Sequence, residues 1–245
     1  MLTLARKMRR ADYRLFHLAV PKVRTPGYFS QHGQDRFIAE TLLAGKRNGV
    51  FVDVGAYDGE TFSNTLHMER VLGWAGLAIE PQPRAFQLLQ TRRTCATANC
   101  CVADYTGDVE FLDLEGYAAM FSGMQENYDA NHKARIRRDL RVHGGDQHTI
   151  RVPCVPLMSL LLKHGLHDID YMSIDTEGSE YAILSSIDFA AIAIDVISVE
   201  NNYGDRKFER LMRGAGYRMV ALAGPDEIYV SLKSGAATRT RFLSN

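Results

Sequence analysis

Acidic residues follow most of the strands that the sequence predicts, and their positions indicate a binding site. Asp53 and Asp58 lie on either side of a turn in VFVDVGAYDGET (50–61), and Glu80 ends the short strand GLAIEP (76–81). In an α/β protein with a parallel sheet, ligands bind beyond the carboxyl ends of the strands. We therefore expect these residues to converge at one edge of the sheet. The complete set is Asp53, Asp58, Glu80, Asp104, Asp175, Glu177, Glu200 and Asn201.

The turn after the first strand favours a cationic nucleoside over a dinucleotide. Its glycines, Gly55 and Gly59, have the spacing Gly-x-x-x-Gly, whereas a dinucleotide site uses G-x-G-x-x-G to bring backbone N–H groups onto a pyrophosphate. Asp58, inside the turn, would repel phosphates. S-adenosylmethionine fits because it carries a sulfonium, an ammonium and a ribose diol, and Glu80 can accept hydrogen bonds from both ribose hydroxyls. The alternative is that these acids cap helices.

Alternating strand and helix patterns predict the elements that position these residues. Buried strand signals alternate with helical ones, and AGPD separates the last two strands in the manner of an antiparallel hairpin. This order predicts an α/β fold with a mostly parallel sheet, helices on both faces and a C-terminal antiparallel hairpin. Strands are predicted at 49–56, 76–81, 97–104, 108–114, 169–175, 193–201, 217–222 and 227–232, and helices at 61–72, 83–93 and 205–216.

Composition and charge narrow the class of protein. The chain has 245 residues, 46% of them hydrophobic, which is enough for one large α/β domain. Lys plus Arg equals Asp plus Glu at 29 each, so no net field favours a nucleic-acid partner. The four cysteines show no zinc-ligand spacing and indicate a reduced, cytoplasmic protein. No apolar run is long enough to span a membrane.

The sequence predicts two parts of the chain: an N-terminal segment, 1–27, and a single domain, 28–245. Leu4, Met8, Leu15 and Leu18, among five basic residues, fit a basic amphipathic helix. Two roles are open: peripheral contact with a membrane or a lipid-linked substrate, or packing on the domain or on the second subunit of a homodimer. The segment lacks the continuous apolar core of a signal peptide.

Five segments together resemble the FkbM-type S-adenosylmethionine-dependent methyltransferases. They are SQHGQD (30–35), FVDVGAYDGET (51–61), IEPQP (79–83), IDYMSIDTEGSE (169–180) and ISVENN (197–202). The resemblance implies a Rossmann-like class I methyltransferase fold with a seven-stranded sheet, and methyl transfer to a hydroxyl of a sugar, glycan or polyketide. Ser159 stands where such proteins usually have aspartate, a departure that affects a helix cap rather than the chemistry. The expected cofactor-binding residues are Gln34, Asp53, Gly55, Ala56, Asp58, Gly59, Thr61, Glu80, Pro81, Ala103, Asp104 and Asp175.

The acceptor hydroxyl must be activated, and two routes are open. An alcohol is a poor nucleophile at neutral pH, and a bound divalent ion would lower its pKa and orient it. Asp175, Glu200 and Asn201 offer hard oxygen ligands suited to Mg²⁺, and their layout resembles that of metal-dependent catechol and macrolide-sugar O-methyltransferases. In the second route, Asp175 and Glu177 organise the loop and a histidine acts as base, with His32 the first candidate. The catalytic candidates are therefore Asp175, Glu177 and His32.

Residues 115–150 are predicted to form a lid or an acceptor-binding insertion. Candidates for an acceptor wall are Tyr117, Met120, Phe121 and Met124. Four arginines could meet an anionic acceptor, although they also fit a solvated helix face; they are Arg135, Arg137, Arg138 and Arg141.

The sequence thus predicts a cytoplasmic, S-adenosylmethionine-dependent O-methyltransferase. Its partner would be a small-molecule or glycan acceptor with a free hydroxyl, and not a nucleic acid. Two other classes remain as alternatives. One is a nucleoside-binding module without catalysis, and the other is an NAD-dependent oxidoreductase, which the missing G-x-G-x-x-G disfavours.

Overall fold

The computed structural model describes residues 18–20, 25–128 and 130–240. Most of the predicted N-terminal amphipathic helix therefore lies outside the described residues. At the end of that stretch, Leu18–Ala19 form a short strand. Within the described ranges, no helix is both long enough and apolar enough to cross a membrane.

The strands and helices follow each other in an alternating order. The strands are β1 (Leu18–Ala19), β2 (Val50–Val54), β3 (Ala75–Ile79), β4 (Ala96–Ala98), β5 (Cys101–Ala103), β6 (Gly107–Leu114), β7 (Gly123–Met124), β8 (Gln147–Pro156), β9 (Asp168–Ile174), β10 (Ala193–Glu200), β11 (Tyr217–Ala223) and β12 (Asp226–Ser231). The helices are α1 (Gln34–Arg36, continued by a π-helical segment, Phe37–Leu42), α2 (Leu66–Arg70), α3 (Pro83–Arg92), α4 (Ala130–His143), α5 (Leu157–Lys163), α6 (Glu180–Ser185), α7 (Lys207–Gly214) and α8 (Gly235–Thr240). Short 3₁₀ segments occupy Gly116–Phe121 and Gln125–Asn127.

The main sheet has the strand order β1-β11-β12-β10-β9-β2-β3-β4. Strands β10, β9, β2, β3 and β4 run parallel, whereas β12 is antiparallel to both β10 and β11. The predicted sheet of seven mostly parallel strands with a C-terminal antiparallel hairpin is confirmed, and the two-residue β1 adds a further strand at the edge, beside β11. The carboxyl ends of β2, β3, β9 and β10 therefore lie side by side.

Two hydrophobic clusters lie on opposite faces of this sheet. Side chains alternate along a strand, so neighbours such as Phe51 and Val52 belong to different clusters. Phe51 packs with the π-helical segment, including Ile38, and Val52 packs with helices α5 and α6, including Leu161 and Ile183. Helices thus cover both faces, as predicted.

A second, four-stranded sheet has the order β5-β8-β6-β7 and differs from the sequence prediction. The segment 97–104 is not one strand: its first part ends β4 in the main sheet, and its second part is β5, which runs parallel to β8. The predicted strand 108–114 is β6, antiparallel to β8. Strand β8 (Gln147–Pro156) was not predicted, and its first residues fall in the segment 115–150 that the sequence assigned to an insertion.

The predicted helix 61–72 is much shorter in the structure. Only Leu66–Arg70 is α-helical. The reason is local, because the Asp58 carboxylate accepts hydrogen bonds from the N–H groups of Glu60 and Thr61 and from the Thr61 hydroxyl. Such side-chain bonds offer the backbone an alternative to the helix.

Candidate functional site

A cavity opens where β2, β3 and β9 end, and it has two walls. It contains about 710 Å³ of empty space, part of which is open to solvent. The main-sheet wall includes Gly55, Glu80 and Asp175, and the opposite wall comes from the second sheet and the segment 119–124. Its lining also contains Tyr57, Pro81, Gln82, Cys100, Cys101, Val102, Phe111, Met120, Met124 and Glu177. We call this space the first cavity.

Glu80 braces the glycine turn and faces the first cavity. Its two carboxylate oxygens accept hydrogen bonds from the N–H groups of Tyr57, at 2.8 Å, and Gln82, at 2.7 Å. Burial raises the pKa of Glu80 to about 7, although both of these bonds lower it. Each oxygen keeps a further lone pair for a ligand hydroxyl.

Gly55 forms the junction between β2 and the end of β9. Its φ is +91°, and a Cβ atom there would lie 1.7 Å from the Asp175 carbonyl oxygen. The backbone is held in place by the Asp175 N–H, which donates to the Val54 carbonyl at 2.9 Å. Glycine is required here by this close approach of two chain segments.

Asp53 points into the protein rather than into the first cavity. Its carboxylate accepts a hydrogen bond from the Thr65 hydroxyl at 2.6 Å and lies 3.9 Å from the Arg93 guanidinium. Arg93 is fully buried and also bonds Glu69 at 2.5 Å. The structure therefore places Asp53 in an internal ionic network.

Four other predicted cofactor residues lie in or behind the turn. Asp58 and Thr61 bond each other, and Arg92 also donates to the Asp58 carboxylate. Gly59 has a φ of +80°, and a Cβ there would clash with Leu89 of α3. Ala56 packs in a small apolar cluster with Leu89.

Ala103 and Asp104 lie apart from the first cavity. Ala103 is buried in the core of the second sheet, and Asp104 is exposed. Because 97–104 divides between two sheets, the segment that lines the cavity is Cys100–Val102. Pro81, in contrast, lines the cavity as expected.

His32 and Gln34 lie near the β11–β12 turn. The Gln34 side chain donates to Asp226 at 2.7 Å and accepts a hydrogen bond from the His32 backbone N–H at 2.8 Å. The His32 ring lies against Gly224. Neither residue is part of the first cavity's lining, so the structure does not bring His32 together with Asp175 and Glu177 there.

Three carboxylates converge where β9 and β10 end. One oxygen from each of Asp175, Glu177 and Glu200 lies within 4.8 Å of the others. Burial, followed by the nearby Glu177 charge, raises the pKa of Asp175 well above its usual range. Burial raises the pKa of Glu177 to about 8, and the Glu180 charge adds to this effect. The pKa of Glu200 is raised by burial and then by the charge of Asp175.

Glu177 belongs to this acidic group and also lines a second space. Its φ of +57° is in the left-handed region, which is uncommon for a residue with a side chain and is often found at functional sites. The buried Oε2 atom has no hydrogen-bond partner among the described residues and lies 3.7 Å from His132 Nδ1. Glu177 lines both the first cavity and a neighbouring cleft.

The neighbouring cleft, which we call the second cleft, lies between α4, α6 and the loop after β10. It contains about 920 Å³ of empty space, part of it open to solvent. Asp175 lines only the first cavity, Glu200 lines only the second cleft, and Glu177 lines both. The acidic group therefore forms the boundary between them. The cleft is lined by Asn127, His132, Glu177, Gly178, Glu180, Tyr181, Glu200, Asn201, Asn202, Tyr203, Asp205, Lys207 and Phe208.

Asn201 uses its side chain to hold the loop after β10. Its Nδ2 donates to the Asp205 carbonyl at 3.0 Å and to Glu227 Oε1 at 2.8 Å, and its Oδ1 accepts from the Asp205 N–H at 2.9 Å. The structure thus gives Asn201 a positioning role beside the acidic group. Glu177 takes its place in the group of converging oxygens.

Sequence reasoning missed His132 and Gln82. His132 comes from α4, stacks on Tyr128 with ring centres 4.4 Å apart, and reaches Glu177 from a distant part of the chain. Gln82 is buried and donates to Asp113 and to the Leu114 carbonyl, so it ties β3 to the second sheet. Gln82 lies in the motif IEPQP, which could have identified it, whereas no local spacing identifies His132.

Among the residues expected to form an acceptor wall, Met120 and Met124 line the first cavity. Tyr117 is 64% exposed and stacks on His143, and Phe121 packs under the Arg135 guanidinium, which lies 3.9 Å from the ring centre. Of the four predicted wall residues, only these two methionines therefore contribute to the lining of the cavity.

Comparison with known proteins gives one family match. The model of the methyltransferase FkbM domain matches residues 53–219. A search of curated proteins found no match.

Three solved structures to which this chain is similar are distant from it in sequence. Methyltransferase FkbM from Methylobacillus flagellatus is 15% identical, with a TM-score of 0.44, over 75% of this chain and 43% of that chain. The chain thus spans less than half the length of that protein. Precorrin-6y C5,15-methyltransferase from Geobacter metallireducens is 13% identical, with a TM-score of 0.42, over 90% and 95% of the two chains. Aeropyrum pernix fibrillarin, in complex with S-adenosyl-L-methionine, is 14% identical, with a TM-score of 0.41, over 86% and 84%.

Proposed function

The chain belongs to the FkbM methyltransferase family, and from this we propose that it transfers a methyl group from S-adenosylmethionine to a hydroxyl oxygen of a carbohydrate-containing acceptor. The family resemblance predicted from the motifs is confirmed. The family also supports S-adenosylmethionine as the cofactor, whereas the comparisons give no support for magnesium. The hydroxyl, the carbohydrate and the ion are parts of the proposal.

One observation carries the proposal: a group of carboxylates forms the boundary between two adjoining spaces. Methyl transfer needs a donor and an acceptor on either side of a short path, with the reacting atoms in line. Glu177 lines both spaces, with Asp175 on one side and Glu200 on the other. This arrangement suits a donor in the first cavity and an acceptor in the second cleft.

The residues of the first cavity fit the cofactor chemically. The pKa values of Asp175 and Glu177 are raised by burial and then by neighbouring carboxylates, and such groups favour a cationic ligand because a positive charge relieves their repulsion. Glu80 would accept hydrogen bonds from the ribose hydroxyls, and Val102 and Phe111 supply apolar surface for the adenine. When bound, S-adenosylmethionine supplies a methyl group on a good leaving group.

We assign activation of the acceptor to Asp175, Glu177 and Glu200, which would hold a divalent cation such as Mg²⁺. Carboxylate oxygens are the ligands that Mg²⁺ prefers, and Glu177 Oε2, which accepts no hydrogen bond from the described residues, is available as a ligand atom. The cation would lower the pKa of the acceptor hydroxyl, whose proton is lost to solvent as the new C–O bond forms and the methyl–sulfur bond breaks. Asn201 is not included, since its amide is bonded within the loop.

The metal assignment is tested without turnover by titrating the protein with Mn²⁺ and counting bound ions by electron paramagnetic resonance. Wild type should bind one ion tightly, and Glu200→Gln should lose that site. Glu110→Gln, an exposed acid on the second sheet, is the control and should bind like wild type. Full methyl transfer by metal-free protein in excess chelator would refute the assignment and leave Glu177 or Asp175 to act as base.

The function is tested by incubating the protein with S-adenosylmethionine and a pooled library of sugar and polyketide acceptors. We expect formation of S-adenosylhomocysteine together with a product heavier by one methylene unit. Calorimetry should detect binding of both cofactor forms and none of NAD. Cofactor binding without any acceptor-dependent turnover would favour the non-catalytic alternative, and tight NAD binding would favour the oxidoreductase.

A further inference from the structure

The second cleft has a lining unlike that of the first cavity. The first cavity mixes carboxylates with apolar side chains, whereas the described lining of the second cleft is mostly amides, carboxylates and aromatic rings. Tyr203 is 41% exposed at this cleft. Hydrogen-bonding groups around an aromatic surface suit a ligand with many hydroxyls, because each hydroxyl both donates and accepts.

We infer that the second cleft binds the methyl acceptor through a neutral, hydroxyl-rich group such as a sugar ring, and that in the metal-free protein it disfavours an anionic group. The role of this ligand as methyl acceptor rests on the proposed function. The binding preference itself rests on the cleft's own charges and geometry.

Charge within the cleft opposes an anion. Apart from Glu177 and Glu200 of the acidic group, its described lining contains two carboxylates, those of Glu180 and Asp205, and one ammonium group, that of Lys207. This ammonium lies 3.6 Å from Asp205 Oδ2 and 4.5 Å from the centre of the Tyr181 ring. Its positive charge is therefore already compensated by these two groups. In the metal-free protein, a phosphate or uronate entering the cleft would meet more carboxylate than ammonium groups, and like charges are costly to bring together at short range.

The arginines that could have favoured an anionic acceptor lie elsewhere. Arg135 stacks on Phe121 and has its Nε 3.9 Å from Asp139, and Arg138 bonds the same carboxylate at 2.9 Å. None of the four arginines of α4 belongs to the cleft's lining. From outside the lining, the charge of Arg135 still lowers the pKa of Glu177.

The cleft is also preorganised by hydrogen bonds between its loops. Asn201 fixes the loop 201–205, as described above, and Asn127 donates to the Ser179 hydroxyl at 2.7 Å. Glu180 Oε1 accepts hydrogen bonds from the N–H groups of Thr176 and Gly178. Ordered polar groups bind a polyol with a smaller entropic cost than mobile ones do.

Binding is tested with matched sets of methyl glycosides, each set comprising a hexose, the corresponding 2-amino sugar and the corresponding uronic acid, built on glucose, galactose and mannose. Saturation-transfer NMR on metal-free protein, in the presence of S-adenosylhomocysteine and a chelator, measures affinity without catalysis. Within the set that binds best, the neutral or amino sugar should bind about tenfold more tightly than the uronic acid. Binding of no set, or tightest binding of a uronic acid, would overturn the inference.

A pair of matched variants locates the charge effect in the cleft. In Asp205→Asn, the remaining side-chain oxygen can still accept from the Lys207 N–H, as Asp205 Oδ1 does at 2.9 Å. The discrimination against the uronic acid should fall about three- to tenfold. Asp188→Asn is the control, because Asp188 is exposed outside the cleft and accepts from the Ala190 N–H at the same 2.9 Å. Equal effects of the two substitutions would contradict the inference.

A second pair tests the aromatic surface. Tyr203→Ala should weaken sugar binding about tenfold and leave S-adenosylhomocysteine affinity unchanged. Tyr105→Ala is the control, since Tyr105 is 40% exposed and lines neither space. If Tyr203→Ala binds sugar like wild type, the ligand lies elsewhere. Sugar binding that depends on Tyr203, with no S-adenosylhomocysteine formed from any bound sugar, would support the inference and refute methyl transfer instead.

Discussion

At the scale of single residues, Glu80 combines a structural role with a binding role. It accepts two backbone N–H groups that shape the glycine turn, and it faces the first cavity. Burial raises its pKa to about 7, so much of its population is protonated near neutrality. A ribose diol donating to the carboxylate would stabilise the ionised form.

Glu80→Gln should therefore weaken the binding of S-adenosylmethionine and S-adenosylhomocysteine equally, because both contain the ribose. The loss should be about 1.5–3 kcal/mol, the range for a hydrogen bond to a charged group, or roughly 10- to 100-fold in Kd. Calorimetry measures it, with Glu110→Gln as the control. An unchanged affinity would place the ribose away from β3.

The sequence predicts which strand ends carry acids, but not which way each acid points. The convergence of Asp175, Glu177 and Glu200 follows from parallel strands that end together. Asp53 is also an acid from the same edge of the sheet, yet its carboxylate points into the protein, where it contacts Thr65 and Arg93. These contacts join residues far apart in the chain, so no local pattern contains them.

At the scale of elements, the apolar strands and the alternating strand β6 were predictable, whereas β8 was not. Strands β2, β3, β9 and β10 are short apolar runs, and their positions agree closely with the prediction. Strand β8 begins with polar residues, and it forms because β6 pairs with it, for example through Phe111 and Ile150. That pairing is set by tertiary contacts, which override local preference.

Gly55 provides a prediction about the β2–β9 junction. The sequence predicts Gly55 only as a cofactor-binding residue, but the structure places the Asp175 carbonyl oxygen where a side chain at Gly55 would lie. Gly55→Ala should therefore cost about 3 kcal/mol or more in unfolding free energy. Gly45→Ala is a matched control with a positive φ of +70° and no atom within 4 Å, and it should cost only about 1 kcal/mol. Urea unfolding followed by circular dichroism compares the two variants. Equal losses of unfolding free energy would show that backbone strain alone accounts for the cost of Gly55→Ala.

At the scale of the whole molecule, a balanced total charge conceals a local excess of acids. The chain has 29 basic and 29 acidic residues, yet several carboxylates are buried at one edge of the sheet. Glu227, on β12, accepts hydrogen bonds from Tyr229 and Asn201, and burial raises its pKa to about 7. Glu80 and Glu227 thus resist ionisation in the folded protein more than in the unfolded chain.

This difference fixes the direction in which stability depends on pH. In the unfolded chain both groups ionise near their ordinary pKa of 4.5, whereas in the folded protein they hold protons up to about pH 7. The folded state therefore binds more protons between these values, and stability must fall as pH rises through about 7.

The ligand-free protein should accordingly be more stable at pH 6 than at pH 8. Each group contributes about 1 kcal/mol to this difference, and together they should raise Tm by about 4–8 °C at the lower pH. Differential scanning calorimetry in buffers of equal ionic strength measures the effect. Glu80→Gln removes one titrating group, so its Tm should change less between the two pH values, whereas Glu110→Gln should follow wild type. A Tm that increases from pH 6 to pH 8 would contradict the assignment of raised pKa values to these buried carboxylates.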